Sequence, residues 1–376
     1  MRRQTTTTIH TAQELLAQRT QVFSSQQSAL SGLTLYAQLR IGMAMYLFGH
    51  VSTPGYLSVL LTVPAAAALY LLSAYVARRA APGRRPFESA AGRVGERVVL
   101  LALAAAMLLD AQMALYALVS MISEVLPGIR PLVTASAVAL LTMLALGGED
   151  TYALARLARL MAWVLAAILF YCVLGAVPSG NIGHLFPLLG QGVQSVARGA
   201  LWMCGCTAGV CCPMILQSRE GAAALTRGGL CLKKQLLGVA AAAAMALITA
   251  YVLPFYALSR AEELGSRLMI LSNSGSSVSG WSLMLCAQLF MLLIALSAAV
   301  TSASAMISCI AGRGKTTPAT TAALLALLVP AAALRTRVID EALLLIAPAR
   351  YWLALAAMCA AAVFARLRGR GRETGA

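Results

Sequence analysis

Charge is what this sequence has least of. Only 11% of its 376 residues are Asp, Glu, Lys or Arg, and just 13 are acidic, where a soluble globular domain carries about a quarter. Histidine occurs 3 times, and aromatic residues make up 6% of the chain. With 60% hydrophobic residues and a mean hydropathy of +0.79, this scarcity excludes a soluble domain and requires a polytopic membrane protein. The charges are unbalanced, 29 basic against 13 acidic. No basic face on a soluble domain and no aromatic stacking platform accompanies them, which excludes nucleic acid as a partner. No short apolar stretch with a small-residue cleavage site precedes the first long apolar run, so no removable signal peptide is expected. The 9 cysteines are odd in number and lie mostly inside apolar segments, which argues against a disulfide framework. No nucleophile–base arrangement or metalloprotease motif is present, and an enzyme is not expected.

What is there is a series of ten apolar segments, at 29–50, 56–77, 98–123, 131–147, 160–178, 196–217, 235–258, 281–310, 319–334 and 349–366. Each is near the ~20 residues that a spanning helix requires, and the eighth is long enough that it should tilt or break. Residues 1–27, rich in Thr and Gln, read as a cytoplasmic tail with a short helix near Ala12–Arg19. Residues 28–366 read as one transmembrane permease domain, and 367–376 as a basic cytoplasmic tail. With the N-terminus inside, the cytoplasmic connections hold 21 Lys and Arg and the outer ones 7, Arg350 among the latter. The positive-inside rule then puts both termini in the cytoplasm.

The segments divide into two fives, repeat one at about 28–178 and repeat two at about 190–366. The longest connection of the first half, Arg78–Arg97, falls inside and its counterpart, Ser259–Gly280, outside, as an inverted repeat demands. The stretch organising the chain is Gly199–Pro213, GALWMCGCTAGVCCP. It is apolar, yet its glycines and terminal proline disfavour a continuous helix. Its counterpart in the first segment has weak points at Gly42 and Gly49. Bare backbone in hydrocarbon is tolerated only where it lines an enclosed cavity, so two matched interruptions point to a solute site, with close helix packing as the alternative. The fold expected is an all-α membrane protein of ten transmembrane helices, a 5+5 inverted repeat with broken helices 1 and 6.

Three motifs carry a family resemblance. GGEDTYALARLARL brings Gly148, Glu149 and Arg156 ahead of the fifth segment. NIGHLFPLLGQG places Asn181, Leu185, Pro187, Leu188 and Gly192 in an N-x-x-x-L-x-P-L-x-x-x-G spacing, and Ser25-Gln26-Gln27 precedes the first segment. Together they resemble spore germination permeases of the GerAB type, in the amino acid–polyamine–organocation superfamily. The resemblance implies a LeuT-like fold and the membrane-embedded B-type subunit of a spore nutrient germinant receptor. Such a subunit lies in the bilayer of the cell or spore inner membrane and senses a small nutrient, often an amino acid. Its partners would be a large membrane-anchored subunit and a lipoprotein. In related transporters a sodium site lies between helices 1 and 8, so coupling to Na+ or H+ stays open, and no cofactor is expected. The chain departs from the family where Arg40-Ile41-Gly42-Met43-Ala44 replaces a Gly-Thr-Gly type of break, and Pro54 comes late.

Candidate site residues follow from charge and from helical spacing. Arg40 and Asp110 are the clearest intramembrane charges, each costing at least about 2.5 kcal/mol at a helix centre unless compensated. Their depths, roughly 16 and 18 Å from the cytoplasmic helix starts, suggest a buried pair. Around it the ligand candidates are Arg40, Gly42, Asp110, Gln112, Tyr116, Gly205, Thr207 and Gly209. Ser297, Thr301, Ser304 and Ser308 at i, i+4, i+7 and i+11 put hydroxyls on one helix face; the first three are ion candidates, with helix packing as the other reading. Gln112, Tyr116, Ser120 and Ser123 form a similar row that lines an access path or faces a neighbour. Cys204, Cys206, Cys211 and Cys212 lack metal-site spacing. Gly314-Lys315-Thr316 lacks the glycine and strand of a phosphate loop. His50 and His184 fall on the outer side. The functional expectation is a nutrient-binding receptor permease, with a proton- or sodium-coupled amino-acid symporter and a non-binding scaffold as alternatives.

Overall fold

The computed structural model describes residues 29–47, 56–78, 86–146, 151–186, 192–211, 229–252, 264–272, 278–312, 318–334 and 337–373. Outside them lie the N-terminal tail with its expected short helix and Ser25-Gln26-Gln27, Gly49, His50 and Pro54, Gly148 and Glu149, Pro187 and Leu188, Cys212 and Pro213, and Gly314-Lys315-Thr316.

Among the described residues the architecture is all-helical, and helix falls on every apolar segment. Helix α1 covers 29–42 and passes into a π turn at Met43–Leu47. Helix α2 is in two pieces, Tyr56–Leu60 and Val63–Arg78, followed by α3 (Pro86–Val125), α4 (Pro131–Leu146) and α5 (Thr151–Ser179). A 3-10 turn at Ile182–Leu185 leads to α6 (Val193–Cys204), which continues as a 3-10 helix, Gly205–Cys211. Then come α7 (Gly229–Val252), the short α8 (Leu264–Ser272), α9 (Val278–Ile310), α10 (Pro318–Ala333) and α11 (Arg337–Glu373). Three helices begin on proline, at Pro86, Pro131 and Pro318, where the missing N–H is one that a first turn leaves unbonded anyway.

Among the described residues six helices are long and apolar enough to cross a membrane, in α2, α3, α5, α7, α9 and α11, and α4 and α10 are shorter apolar helices. The centre is α3 packed along α9 and α11. The apolar windows of α3 and α9 are 67% and 72% buried, against 18% for α5, which lies at the flank. Helix α9 earns its central place through a run of small residues, Ser297 to Ala305, that lets neighbours approach closely.

The structure corrects two expectations and, for the eighth segment, expected to tilt or break, excludes the break. The connection read as 78–97 is helical from Pro86 onward, with its turn made at Gly92, whose φ of 74° favours glycine. The eighth segment is one unbroken helix of 33 residues, about 50 Å at 1.5 Å per residue, so it accommodates its length without a break. Arg350, counted among the outer connections, lies inside α11 with 0% exposure; the outer count falls by one and the bias of charge stands.

Candidate functional site

The two interrupted helices meet. A Cβ built on Gly42, at the end of the regular part of α1, would lie 2.5 Å from Cys206 Sγ and 2.9 Å from Met203 Sδ, so a larger residue here would require those side chains to shift. The interruptions have local causes. In α1 a side chain reaches into the ladder, as Arg267 of α8 donates from Nη1 to Ala44 O at 3.4 Å, and inserted groups of this kind widen or bend helices. In α6 the hydroxyl of Thr207 donates to Cys204 O at 2.8 Å, competing with the backbone bond there. Gly205 and Gly209 lower the propensity of the same stretch for α-helix. The interruption expected from Gly199 to Pro213 is thus a tightening into 3-10 helix from Gly205 onward.

Beside this crossing lies a buried ion pair. Arg350 of α11 donates from Nη1 to Asp110 Oδ1 of α3 at 2.5 Å, and the two residues are 0% and 1% exposed. Arg350 also donates from Nη1 to Gln38 Oε1 at 3.4 Å and from Nη2 to Cys206 Sγ at 3.7 Å. Gln38 of α1 donates its amide to the Asp110 carbonyl at 3.1 Å. A Cβ on Gly209 would stand 3.6 Å from Asp110 Oδ2, in ordinary contact. Four elements, α1, α3, α6 and α11, therefore converge on one guanidinium and one carboxylate. Tyr46 of the π turn, 0% exposed, flanks the centre with its ring centroid 5.7 Å from that of Trp202.

The pair expected between Arg40 and Asp110 is not the one formed. Gln38 and Arg40 are two residues apart on α1, about 200° around the helix axis; since Gln38 faces Asp110, Arg40 faces away. Arg40 donates from Nη2 to Leu271 O at 2.7 Å and to Gln288 Oε1 at 3.3 Å, placing its cation on the C-terminal carbonyls of α8, where the helix dipole favours it. Helices α1 and α8 are clasped both ways, by Arg40 onto α8 and by Arg267 onto α1.

Gln112 points away from the centre as well. With its amide oriented to satisfy both groups, it donates to Leu328 O at 3.2 Å and accepts from Ala332 N at 3.1 Å. Those atoms are the i and i+4 partners of the α10 ladder around Pro330, so the side chain bridges backbone groups at the proline, where the ring strains the helix. Tyr116 is buried on α3. Lower on the same row, Ser123 bonds Val119 O. On α9, Thr301 donates to Ser297 O at 2.7 Å, and Ser304 accepts from Thr321 of α10 at 3.1 Å. Within that row Thr301 is thus engaged with its own backbone and Ser304 with α10. Asn181 caps the 3-10 turn by accepting from Gly183 N, and its own N–H donates to Tyr251 O of α7; His184 Nδ1 lies 3.3 Å from the same carbonyl. The Asn181 motif thus serves as a dock on the end of α7.

Of the sequence candidates, Gly42, Asp110, Gly205, Thr207 and Gly209 lie at the crossing. Arg350, Gln38, Cys206 and Tyr46 complete it without having been singled out as ligand candidates. Arg350 had a visible signal, an arginine between the apolar runs Leu343–Ala347 and Tyr351–Phe364.

No family model and no curated protein matches the sequence. The fold does match: 51 chains of solved structures align with it. Among them is a sodium-coupled sialic acid symporter in a substrate-bound, outward-open state, with a TM-score of 0.50 and 10% identity over 86% of this chain and 78% of its own. The chain, all-helical among the described residues, thus shares the LeuT-type membrane fold of that symporter.

Proposed function

We propose that this chain binds a small nutrient, an amino acid or a molecule of similar charge, at the crossing of α1, α3, α6 and α11, within ten helices arranged as a 5+5 inverted repeat. The observation that carries this is the juxtaposition of two interrupted helices with the buried Asp110–Arg350 pair. The centre is electrically balanced. A zwitterion exchanges one ion pair for two, its carboxylate taking Arg350 and its ammonium taking Asp110, without leaving either charge bare. A ligand with only one charge strands the opposite residue, and an uncompensated buried charge is costly. The experiment is ligand-dependent thermal stabilisation of the purified protein with amino acids, matched amines and matched carboxylic acids. Zwitterions alone should stabilise; equal stabilisation by an amine or an acid overturns the reading.

The shared fold supports transport of that solute by alternating access. Coupling to either H+ or Na+ fits: Asp110 is a carboxylate that could take a proton, and the oxygens of Thr301 and Ser304 keep lone pairs for a cation such as sodium while making the bonds described. A second reading is the B-type subunit of a germinant receptor, beside a large membrane-anchored subunit and a lipoprotein. It rests on the Asn181 motif and the Arg156 stretch. Uptake of labelled solute into liposomes separates the two: accumulation supports a symporter, and binding without accumulation supports a sensor.

A further inference from the structure

A groove of about 350 Å³ opens on the flank of the bundle between α1, α5 and α7, and neither member of the ion pair lines it. Its floor is the closest approach of two helices, where a Cβ on Gly238 would collide with the Gly32 carbonyl. Its walls include Tyr36, Trp163, Leu169 and Leu237. Trp163 and Leu237 are 73% and 67% exposed, so the groove opens through apolar side chains on a spanning flank, a route for molecules arriving from the bilayer rather than from water.

The one charged side chain that lines it is Arg159. Arg156 stands one turn earlier, also exposed. From Arg159 to Leu169 the groove follows α5 for ten residues, about 15 Å, and this is half of a hydrocarbon core of about 30 Å, the depth of a single leaflet. It lies near the starts of α1, α5 and α7, the side to which the arginine count assigns the cytoplasm. A cation at the mouth and a leaflet-deep apolar slot behind it match a molecule with a negative head and a hydrocarbon tail.

We propose that this groove is a binding site for an anionic phospholipid, its phosphate on Arg159 and one acyl chain lying over Gly32 and Gly238. The inference is independent of the solute reading, since it uses no residue of the centre. The test reconstitutes the full chain in phosphatidylcholine nanodiscs containing a minor fraction of either phosphatidylglycerol or phosphatidylcholine brominated on the acyl chain. Bromine quenches indole fluorescence at contact, and the Trp163 signal is obtained by difference from Trp163→Phe. Phosphatidylglycerol should reach half-maximal quenching at about fivefold lower fraction than phosphatidylcholine, the discrimination that one arginine near an anionic headgroup supplies. Arg159→Gln should abolish that preference while leaving the weaker quenching by phosphatidylcholine. Ala166→Phe, which fills the groove from its lipid-exposed side, should abolish the preference with Arg159 intact. Equal quenching by the two lipids would show bulk lipid only, and no quenching by either would show the groove covered by protein; each overturns the proposal. A preference surviving in Arg159→Gln refutes the headgroup assignment, and one surviving in Ala166→Phe refutes the chain in the groove.

Discussion

Replacing Arg350 by Leu strands the Asp110 carboxylate in a place where the residue is 1% exposed. Gln38 offers little relief, since its amide is committed to the Asp110 carbonyl. Two charges with centres about 4 Å apart attract by about 4 kcal/mol at an effective dielectric of about 20, in line with losses of about 3–5 kcal/mol when one member of a buried pair is deleted. Asp110→Leu should cost somewhat less, because Arg350 keeps Gln38 Oε1 and Cys206 Sγ as acceptors. The double replacement removes both charges and leaves apolar side chains in an apolar bundle, a change that is often near neutral. It should therefore lose less stability than either single, with a coupling of at least about 3 kcal/mol, within the range measured for close charge pairs. The assay is unfolding of the purified protein in detergent, with the four proteins of the cycle followed by one probe. A parallel cycle on Arg40→Leu and Asp110→Leu should be additive within about 0.5 kcal/mol. Additive losses at Asp110 and Arg350, or strong coupling between Asp110 and Arg40, would refute the arrangement.

Gln112→Leu should destabilise by about 1–3 kcal/mol, the penalty for unsatisfied buried polar groups, and Pro330→Ala should recover most of it by restoring a regular α10; an undiminished loss in the double variant would show that Gln112 acts elsewhere. Gly42→Ala sets a methyl group against Cys206 Sγ at 2.5 Å, and such overpacking costs about 1–3 kcal/mol. Adding Cys206→Ala should relieve part of that loss in thermal melts, and no relief would mean the crossing is not limited by the thiol. In a cysteine-free background, Lys233→Cys should react with an impermeant label only from the cytoplasm and Ile129→Cys only from outside. Reaction of both from one side contradicts the orientation taken from the arginine count.

Hydropathy alone located helix in every segment, because an apolar run of spanning length has few other states available in a bilayer. The charge count located Arg350 badly, on an outer connection, although the tenth segment, 349–366, already contained it. Pro348, two residues earlier, looks like a helix start, but the structure carries the proline inside α11. The pairing of Arg40 with Asp110 failed for a geometric reason, since depth along a helix says nothing about direction around it. The same limitation affected the hydroxyl row on α9: spacing puts Ser304 and Thr301 on one side, but only the packing of α10 against it shows that Thr321 meets Ser304. The interruption of α6 was legible because glycine and a local hydroxyl create it within the segment. That of α1 was legible as a weak point at Gly42, but its cause, Arg267, comes from more than two hundred residues away in the chain.

The two buried arginine systems differ in strength, and the difference orders what they hold. Arg350 faces a full negative charge, and its removal strands that charge at about 3–5 kcal/mol. Arg40 and Arg267 donate to neutral oxygens, Leu271 O, Gln288 Oε1 and Ala44 O, and hydrogen bonds from a charged donor to such acceptors are worth about 1.5–3 kcal/mol each. Helix α8 is short, with 9 residues, and isolated helices of that length are marginal. Its seat therefore depends on these bonds and on the close contact of Gly265 with the Ser120 backbone. Arg40 satisfies one of its C-terminal carbonyls, that of Leu271, and Arg267 returns a bond to the π turn that carries Tyr46. The position of Tyr46 beside the ion pair is thus set from both sides, by the crossing of Gly42 with Cys206 below it and by α8 against the turn itself. The ion pair is the stronger restraint, and the clasp between α8 and α1 is the weaker link of the two.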